Sequence, residues 1–311
     1  MPDQEIDGAF LYNVWKRTGK TKREVGEMFG LTYGQCAGLI WRHQQAEKGK
    51  RQASVKLFSV NIGAPARLDG DWLIVGDVHC PTTDYEMAAL VGMVAEQRGL
   101  SQLLIAGDLL NQDVFSVHPR SGEPVPWQHE KAAARSLLLE WMDQFERIVW
   151  LAGNHERRLS RSTWGALEMV DLRDMIIGHQ SNVEVSRYSY CLIDTPNGTW
   201  RVTHPRNYSR IPLRTANALA MKYGQHVLSF HEHHLGLAWA DNGRNLIANG
   251  GGLFDWRRLE YVMLDDSTSP VMNKGFSVLE GGHLTVFGES PYTDWAAVLP
   301  DAAAAPLRAA A

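Results

Sequence analysis

Short apolar runs followed by polar clusters recur through the middle of the chain. WLIV (Trp72 to Val75) leads into GDVH, LLIA (Leu103 to Ala106) into GDLLN, and IVWLA (Ile148 to Ala152) into GNHE. Four or five apolar residues closed by a glycine read as buried strands. Between the first two, Asp84 to Arg98 sets Met87, Leu90, Val91 and Val94 at helical spacing. Between the second and third, Lys131 to Phe145 does the same with Leu137, Leu138, Trp141 and Phe145. This βαβαβ pattern predicts three parallel neighbours. Each polar cluster falls just past a strand's carboxyl end, on the edge where α/β sheets bind ligands. Farther on the pattern becomes mixed and β-rich. YSYCLID and TWRVTH predict a hairpin about Pro196-Asn197-Gly198 that ends in His204. Leu213 to Tyr223 reads as a helix leading to HVLSFHEHH, and FSVLEGGHLTVFG as a second hairpin about Gly281-Gly282.

Upstream, Thr21 to Arg42 has helix-turn-helix spacing. Gly26 allows two helices to approach, Gly30 supplies a turn where positive φ is cheap, and Thr32 caps the second helix. Val25, Phe29, Leu31, Cys36 and Leu39 close a small core, with Phe10 to Trp15 as a supporting helix. The polar stretch His43 to Lys56 reads as a linker or fraying helix end, and the body begins near Asp71. The expected division is a helical head and linker over 1–56, a body over 57–300, and an Ala-rich tail over 301–311.

With 311 residues, 44% hydrophobic and 21% charged, the chain has the composition of a globular protein. It contains no run of about 18 apolar residues and no charged-then-apolar leader, so we expect no membrane span and a cytoplasmic location. Cys36, Cys80 and Cys191 lie far apart, in neither a zinc spacing nor a disulfide framework. Charge is uneven. Residues 1–56 carry ten Lys/Arg against six Asp/Glu, and the remainder 21 against 29. A basic head on an acidic body suggests two tasks, although a solvated charged face gives the same numbers.

The polar residues at the strand tips are Asp77, His79, Asp108, Asn111, Asn154, His155, Glu156, His204, His231 and His233. Carboxylates and imidazoles gathered on one edge suit divalent metals. Asp77 and His79 are two apart, as are His231 and His233, so each pair points one way if strand geometry persists. Asp108, on the central repeat, could bridge two ions. Singly, a GD pair is a common turn and a histidine such as His204 a satisfied polar group; what distinguishes these residues is their joint occurrence, in order, at strand ends.

GDVH, GDLLN, GNHE, His204 and the HEH triplet, in that order, resemble the calcineurin-like metallophosphoesterases from about Asp71 to Gly236. The resemblance implies an α/β fold, a two-sheet sandwich flanked by helices, with two divalent ions at one edge. Manganese is the expected metal, with iron, zinc and nickel as alternatives. One ion would be held by Asp77, His79, Asp108 and His233. The other would be held by Asp108, Asn154, His204 and His231, and a hydroxide between the ions would attack phosphorus. His155 would face the phosphate as an acid, and Asp108, shared by both ions, is the second catalytic residue. Phe230 and Pro205 stand where the family usually has glycine, and Asn111 where aspartate is frequent, which bears on pocket shape. Glu156 either orients a neighbour or pairs with Arg157 or Arg158.

This ligand set serves monoesters and diesters alike. A DNA-reading head favours DNA as substrate, with Lys22, Arg23, Thr32, Tyr33, Gln35 and Arg42 as contacts beside the basic Lys16, Arg17 and Lys20. The reading face offers Thr32, Tyr33, Gln35 and Gly38 and is short of Arg and Lys, so base-specific reading should be weak. The expected function is a dinuclear DNA nuclease or phosphodiesterase. The alternatives are a phosphomonoesterase on nucleotides or phosphoproteins, a head used for docking or oligomerisation, and a non-catalytic DNA-binding regulator. The proline-rich stretch Asn111 to Glu130, with His118, Arg120 and His129, reads as a substrate loop or a plain excursion.

Overall fold

The computed structural model describes residues 7–51, 63–116, 125–179, 181–258 and 272–300. Two six-stranded mixed sheets face each other. One runs in the order β12 (His283–Gly288), β11 (Gly275–Glu280), β2 (Trp72–Val75), β3 (Gln102–Ile105), β4 (Arg147–Leu151), β5 (Val183–Ser186). The other runs β1 (Arg67–Asp69), β6 (Tyr190–Thr195), β7 (Gly198–Thr203), β8 (His226–Ser229), β10 (Leu246–Gly250), β9 (Leu235–Trp239). As the repeats predict, β2, β3 and β4 are adjacent and parallel.

Alternation along β2 shows how the layers form. Trp72 and Ile74 point between the sheets, where they meet Leu104, Val149, Cys191, Trp200 and Leu228. Leu73 and Val75 point outward to a core shared with Val91, Leu137 and Trp141. All four are fully buried, each adding about 1.5–3 kcal/mol through the water it excludes. The outer core is roofed by α4 (Tyr85–Arg98), α5 (Trp127–Gln144) and α7 (Met169–Ile177). On the second sheet, α8 (Arg214–Tyr223) packs Ala216 and Ala220 against Val227 and Ile247. Two short helices among the described residues, α6 (Glu156–Ser162) and α9 (Trp295–Val298), also belong to the body.

The N-terminal region is helical: α1 (Gly8–Thr18), α2 (Lys22–Met28) and α3 (Tyr33–Arg51). Leu11, Val25, Cys36 and Ile40 are its fully buried centre, and Phe29, Leu31 and Leu39 pack around them. A Cβ on Gly26 would lie 2.9 Å from the Leu31 carbonyl and 3.2 Å from Cys36 Cβ, so this approach requires glycine. Gly30 turns at φ +69°, and Thr32 Oγ1 accepts from Gln35 N at 3.3 Å to cap α3.

Several boundaries differ from the sequence reading. The body begins with β1 at Arg67, where Arg67–Asp69 add a parallel edge to β6. The stretch after His43 continues as helix to Arg51. Helix α5 starts at Trp127, so His129 and Glu130 belong to it and not to the stretch before it. His118 and Arg120, the end of the linker at 52–56 and the tail at 301–311 lie outside the described residues. The three cysteines are free and buried. Among the described residues no helix is long and apolar enough to cross a membrane.

Candidate metal centre

The expected ligands meet where the carboxyl ends of β2, β3, β4, β7 and β8 converge. The chain does not continue as strand there. Eight described residues other than glycine have positive φ, and five are Asp77, His79, Asp108, His231 and His233. Side chains two apart reach the centre because the backbone coils in the left-handed region, and not by strand alternation as the spacing suggested. Such conformations cost on the order of 1–3 kcal/mol each and persist only when their surroundings fix them. Here they are fixed: Val78 N and His79 N both donate to the Asp108 carbonyl, at 2.9 and 3.0 Å, and Asp77 N donates to Gly107 O at 3.1 Å.

Donor atoms fall into three overlapping groups, each within 4.8 Å: Asp77, His79 and His233; Asp108, His204 and His231; and His79, Asp108 and His155. Asp77 Oδ1 lies 3.2 Å from His233 Nε2 and 3.6 Å from His79 Nε2. Asp108 Oδ2 lies 3.2 Å from His204 Nε2, and that nitrogen also donates to Asn154 Oδ1 at 2.8 Å. The other oxygen of each aspartate is engaged: Asp77 Oδ2 accepts from His231 N and Asp108 Oδ1 from His155 N. Asp77 Oδ1 and Asp108 Oδ2 are buried without a hydrogen-bond partner. Unpaired carboxylate oxygens in a closed site are costly unless a cation completes them. The donor set therefore fits divalent ions.

Neighbours orient these ligands. His79 donates Nδ1–H to Asn111 Oδ1 at 2.9 Å, and His204 donates Nδ1–H to Ala106 O at 3.1 Å, so each turns Nε2 inward. Phe254 packs against the rings of His79 and His233, with centroids 5.0 and 4.7 Å away. Glu156 pairs with neither neighbouring arginine. Its buried carboxylate accepts from Asp108 N, Leu109 N and Gly153 N, all at 2.8 Å, and ties the second strand tip to the third. Gly153 is needed for space: its Cβ would lie 2.0 Å from Asp108 Oδ1 and 2.5 Å from Asp108 N. Phe230, where the family usually has glycine, is accommodated by Gly76 and Gly250, whose Cβ atoms would meet its ring at 2.5 and 2.3 Å.

Burial disfavours charge on every group here, and neighbours decide the outcome. Against it, His233 and His204 hold Asp77 well below the usual carboxylate range, and His155 and His204 do the same for Asp108. The Asp108 and Asp77 carboxylates push His204 up to about 9 despite its burial. Burial pushes His155 down to about 3, with His79 and Arg158 adding to the fall, and burial takes His231 down to about 4. His155 Nδ1 donates to the Asn111 carbonyl at 2.7 Å, and its Nε2 faces Arg158 Nη2 at 3.1 Å and Asp108 Oδ2 at 3.7 Å. Asn111, Glu156, Arg158 and Phe254 thus shape the centre without having been assigned these contacts from sequence.

The head's expected nucleic-acid contacts separate into two groups. Lys16, Arg17, Lys20 and Arg23 are exposed, and Lys22 lies over the Trp15 ring at 5.2 Å. Thr32 and Gln35 bond each other across the turn, Thr32 N donating to Gln35 Oε1 at 2.9 Å. Gly38 is buried, with the Asp143 carboxylate of α5 3.0 Å from where its Cβ would lie. Half-buried Tyr33 is shifted upward by burial and by Glu96 of α4, and Arg42 offsets the upward shift that burial imposes on Asp143. This side of α3 therefore faces the body.

Comparison with known proteins bears on the same region. The calcineurin-like phosphoesterase family model matches residues 72–261. A tetraacyldisaccharide 4'-kinase of Methylibium petroleiphilum is 26% identical over 166 residues, 49% of this chain and 44% of that protein, so the chain spans less than half that relative's length. Among solved structures, the phosphoesterase Yfce of E. coli is 15% identical over 70% of this chain and 92% of its own, with a TM-score of 0.39. Zinc-complexed Vps29 of Entamoeba histolytica is 12% identical over 70% and 98%, with a TM-score of 0.37.

Proposed function

Because this chain belongs to the calcineurin-like phosphoesterase family, we propose that it hydrolyses phosphate esters with two divalent ions, and that its substrate is a phosphodiester of DNA. The observation that carries the hydrolytic reading is the pair of buried, unpartnered oxygens, Asp77 Oδ1 and Asp108 Oδ2, each facing imidazole nitrogens. Asp77, His79 and His233 would hold one ion, Asn154, His204 and His231 the other, and Asp108 both. Bound ions supply a nucleophile from water at neutral pH and positive charge against the phosphoryl oxygens. Arg158 sets a fixed charge beside His155 Nε2, and the pair faces the developing negative charge. His155 commits Nδ1–H to the Asn111 carbonyl, so the proton it gives the leaving oxygen stands on Nε2. An arriving phosphate must therefore raise a group that burial holds at about 3.

The diester reading is supported by the exposed Lys16, Arg17, Lys20 and Arg23, which suit a phosphate backbone. The helix-turn-helix-like segment would deliver the body to DNA without reading bases, since Tyr33 and Gly38 face the body and Gln35 caps its own helix. Elemental analysis together with turnover of bis(p-nitrophenyl) phosphate in manganese tests the reading, followed by plasmid, single-stranded DNA, nucleotide and phosphopeptide substrates. Two ions per chain and diester turnover, both lost in Asp108→Ala, are expected. Turnover of nucleotides or phosphopeptides alone would make it a monoesterase. Bound ions with no turnover at all would leave a DNA-binding regulator.

A further inference from the structure

Beside the centre lies a cavity of about 550 Å³ between β7, the segment that follows it, and α8. Its wall carries three arginines, Arg201, Arg206 and Arg214, and three tyrosines, Tyr190, Tyr208 and Tyr223; none of its lining residues bears a carboxylate. Arg206 and Arg214 are exposed, and neither pairs with an acidic side chain among the described residues. Arg201 is only 8% exposed. Its guanidinium lies 4.2 Å from the Tyr190 ring and 3.9 Å from the Tyr223 ring, and Nε donates to Gln225 Oε1 at 3.2 Å. Held between two rings, it presents an edge, the geometry that suits a phosphate oxygen pair.

The cavity is coupled to the metal edge. Thr203 and Pro205, which line it, flank His204 in the chain. The Tyr208 ring stands edge-on to His231 with centroids 5.8 Å apart. Glu232, between the two ligand histidines, is 7% exposed. It accepts from Ser209 N at 2.8 Å, from the Thr215 hydroxyl, and from Asn249 Nδ2 at 2.8 Å, while Asn249 Oδ1 accepts from Leu213 N at 2.6 Å. The wall bearing Arg206 and Tyr208 is thereby fixed to the chain turn that presents His231 and His233.

We propose that this cavity is a subsite for one nucleotide unit flanking the scissile phosphate, its own phosphate on the arginines and its base against an exposed tyrosine ring. The proposal rests on reading the centre as a phosphodiesterase. Its volume is that of a small-molecule site, three cations without a carboxylate select an anion, and aromatic faces accept any base. A base reaches such a ring only when it is unstacked, so the subsite favours single-stranded over duplex substrate.

Calorimetric titration of the full-length chain with 5'-AMP tests this. Wild type and Asp108→Asn should bind AMP within about threefold of each other, and Arg206→Gln/Arg214→Gln at least about tenfold more weakly. The double lysine variant should recover most of that loss, and inorganic phosphate should bind wild type at least about tenfold more weakly than AMP. Unchanged AMP affinity in the double glutamine variant, or loss of it in Asp108→Asn alone, overturns the subsite. Equal affinity for phosphate and AMP reduces it to a plain anion site and also overturns it. Arginine-dependent AMP binding in a chain that leaves bis(p-nitrophenyl) phosphate intact would remove the phosphodiesterase reading and keep the subsite. Diester turnover with arginine-independent AMP binding would do the reverse.

Discussion

Alanine at position 153 would put a methyl group inside the centre. Its carbon would fall 2.0 Å from Asp108 Oδ1, 2.5 Å from Asp108 N and 2.8 Å from Glu156 Oε2. Unstrained contacts settle near about 3.5 Å, so Asp108 must retreat by on the order of 1 Å. It cannot do so alone, because Oδ1 accepts from His155 N while the Asp108 amide is held by Glu156. Overpacking of this kind costs about 1–3 kcal/mol. A shift of about 1 Å in a reacting constellation costs roughly 10²-fold in rate, and disturbed support of a ligand roughly 10–100-fold in metal affinity. Gly153→Ala should therefore show a lowered urea midpoint without metal, weaker manganese binding, and at least about 10²-fold lower kcat/KM on bis(p-nitrophenyl) phosphate. Gly34→Ala is the control, because nothing lies within 4 Å of its Cβ and α3 should tolerate or welcome alanine. Manganese affinity and kcat/KM both within twofold of wild type would mean that the tight passage of Gly153 over Asp108 is not what shapes the centre.

Three further predictions address other parts of the molecule. His155→Asn should keep the metal and lose roughly 10²–10⁴-fold on DNA, whose alkoxide needs a proton, but less on a nitrophenyl ester; equal losses on both substrates would leave His155 only an electrostatic role. Glu130, wholly buried, is raised by burial from 4.5 to about 8. The native chain then holds a proton the unfolded chain has released, so stability should fall as pH rises from about 4.5 to about 8, by on the order of 5 kcal/mol. Glu130→Gln should flatten that slope in urea titrations at pH 5.5 and 8.5; a wild-type slope no steeper than the variant's would contradict it. Deleting residues 1–56 should leave nitrophenyl ester turnover intact while reducing DNA affinity and its salt dependence; undiminished DNA affinity would reassign the head to docking.

What the sequence showed plainly came from features that repeat. Three apolar runs with helical stretches between them can hardly be arranged except as parallel neighbours, and β2, β3 and β4 are so arranged. Asp77, His79, Asp108 and Asn154 stood out because each follows such a run. What stayed hidden depends on encounters across long separations. Asn111 looks like a departure from a motif until His79, 32 residues earlier, is seen bonded to it. Glu156 beside two arginines suggests ion pairs, yet it turns to amides 46 to 48 residues away. Phe230 in place of glycine makes sense only beside Gly76 and Gly250. Periodicity carries no signal for such contacts, and β1, β5, β9 and β10, placed by their partners in the sheets, escaped it for the same reason.

The two sheets supply different parts of the centre. Asp77, His79, Asp108 and Asn154 follow strands of one, and His204, His231 and His233 follow strands of the other. His79 and His233 are 154 residues apart in sequence, yet their Nε2 atoms lie 3.4 Å apart. An ion held there would be a removable crosslink that closes a loop of half the chain. An unfolded chain has no such site to offer, so affinity for the ion adds directly to the cohesion of the two layers. Chelation should then be felt as a loosening of one sheet from the other as well as a loss of chemistry.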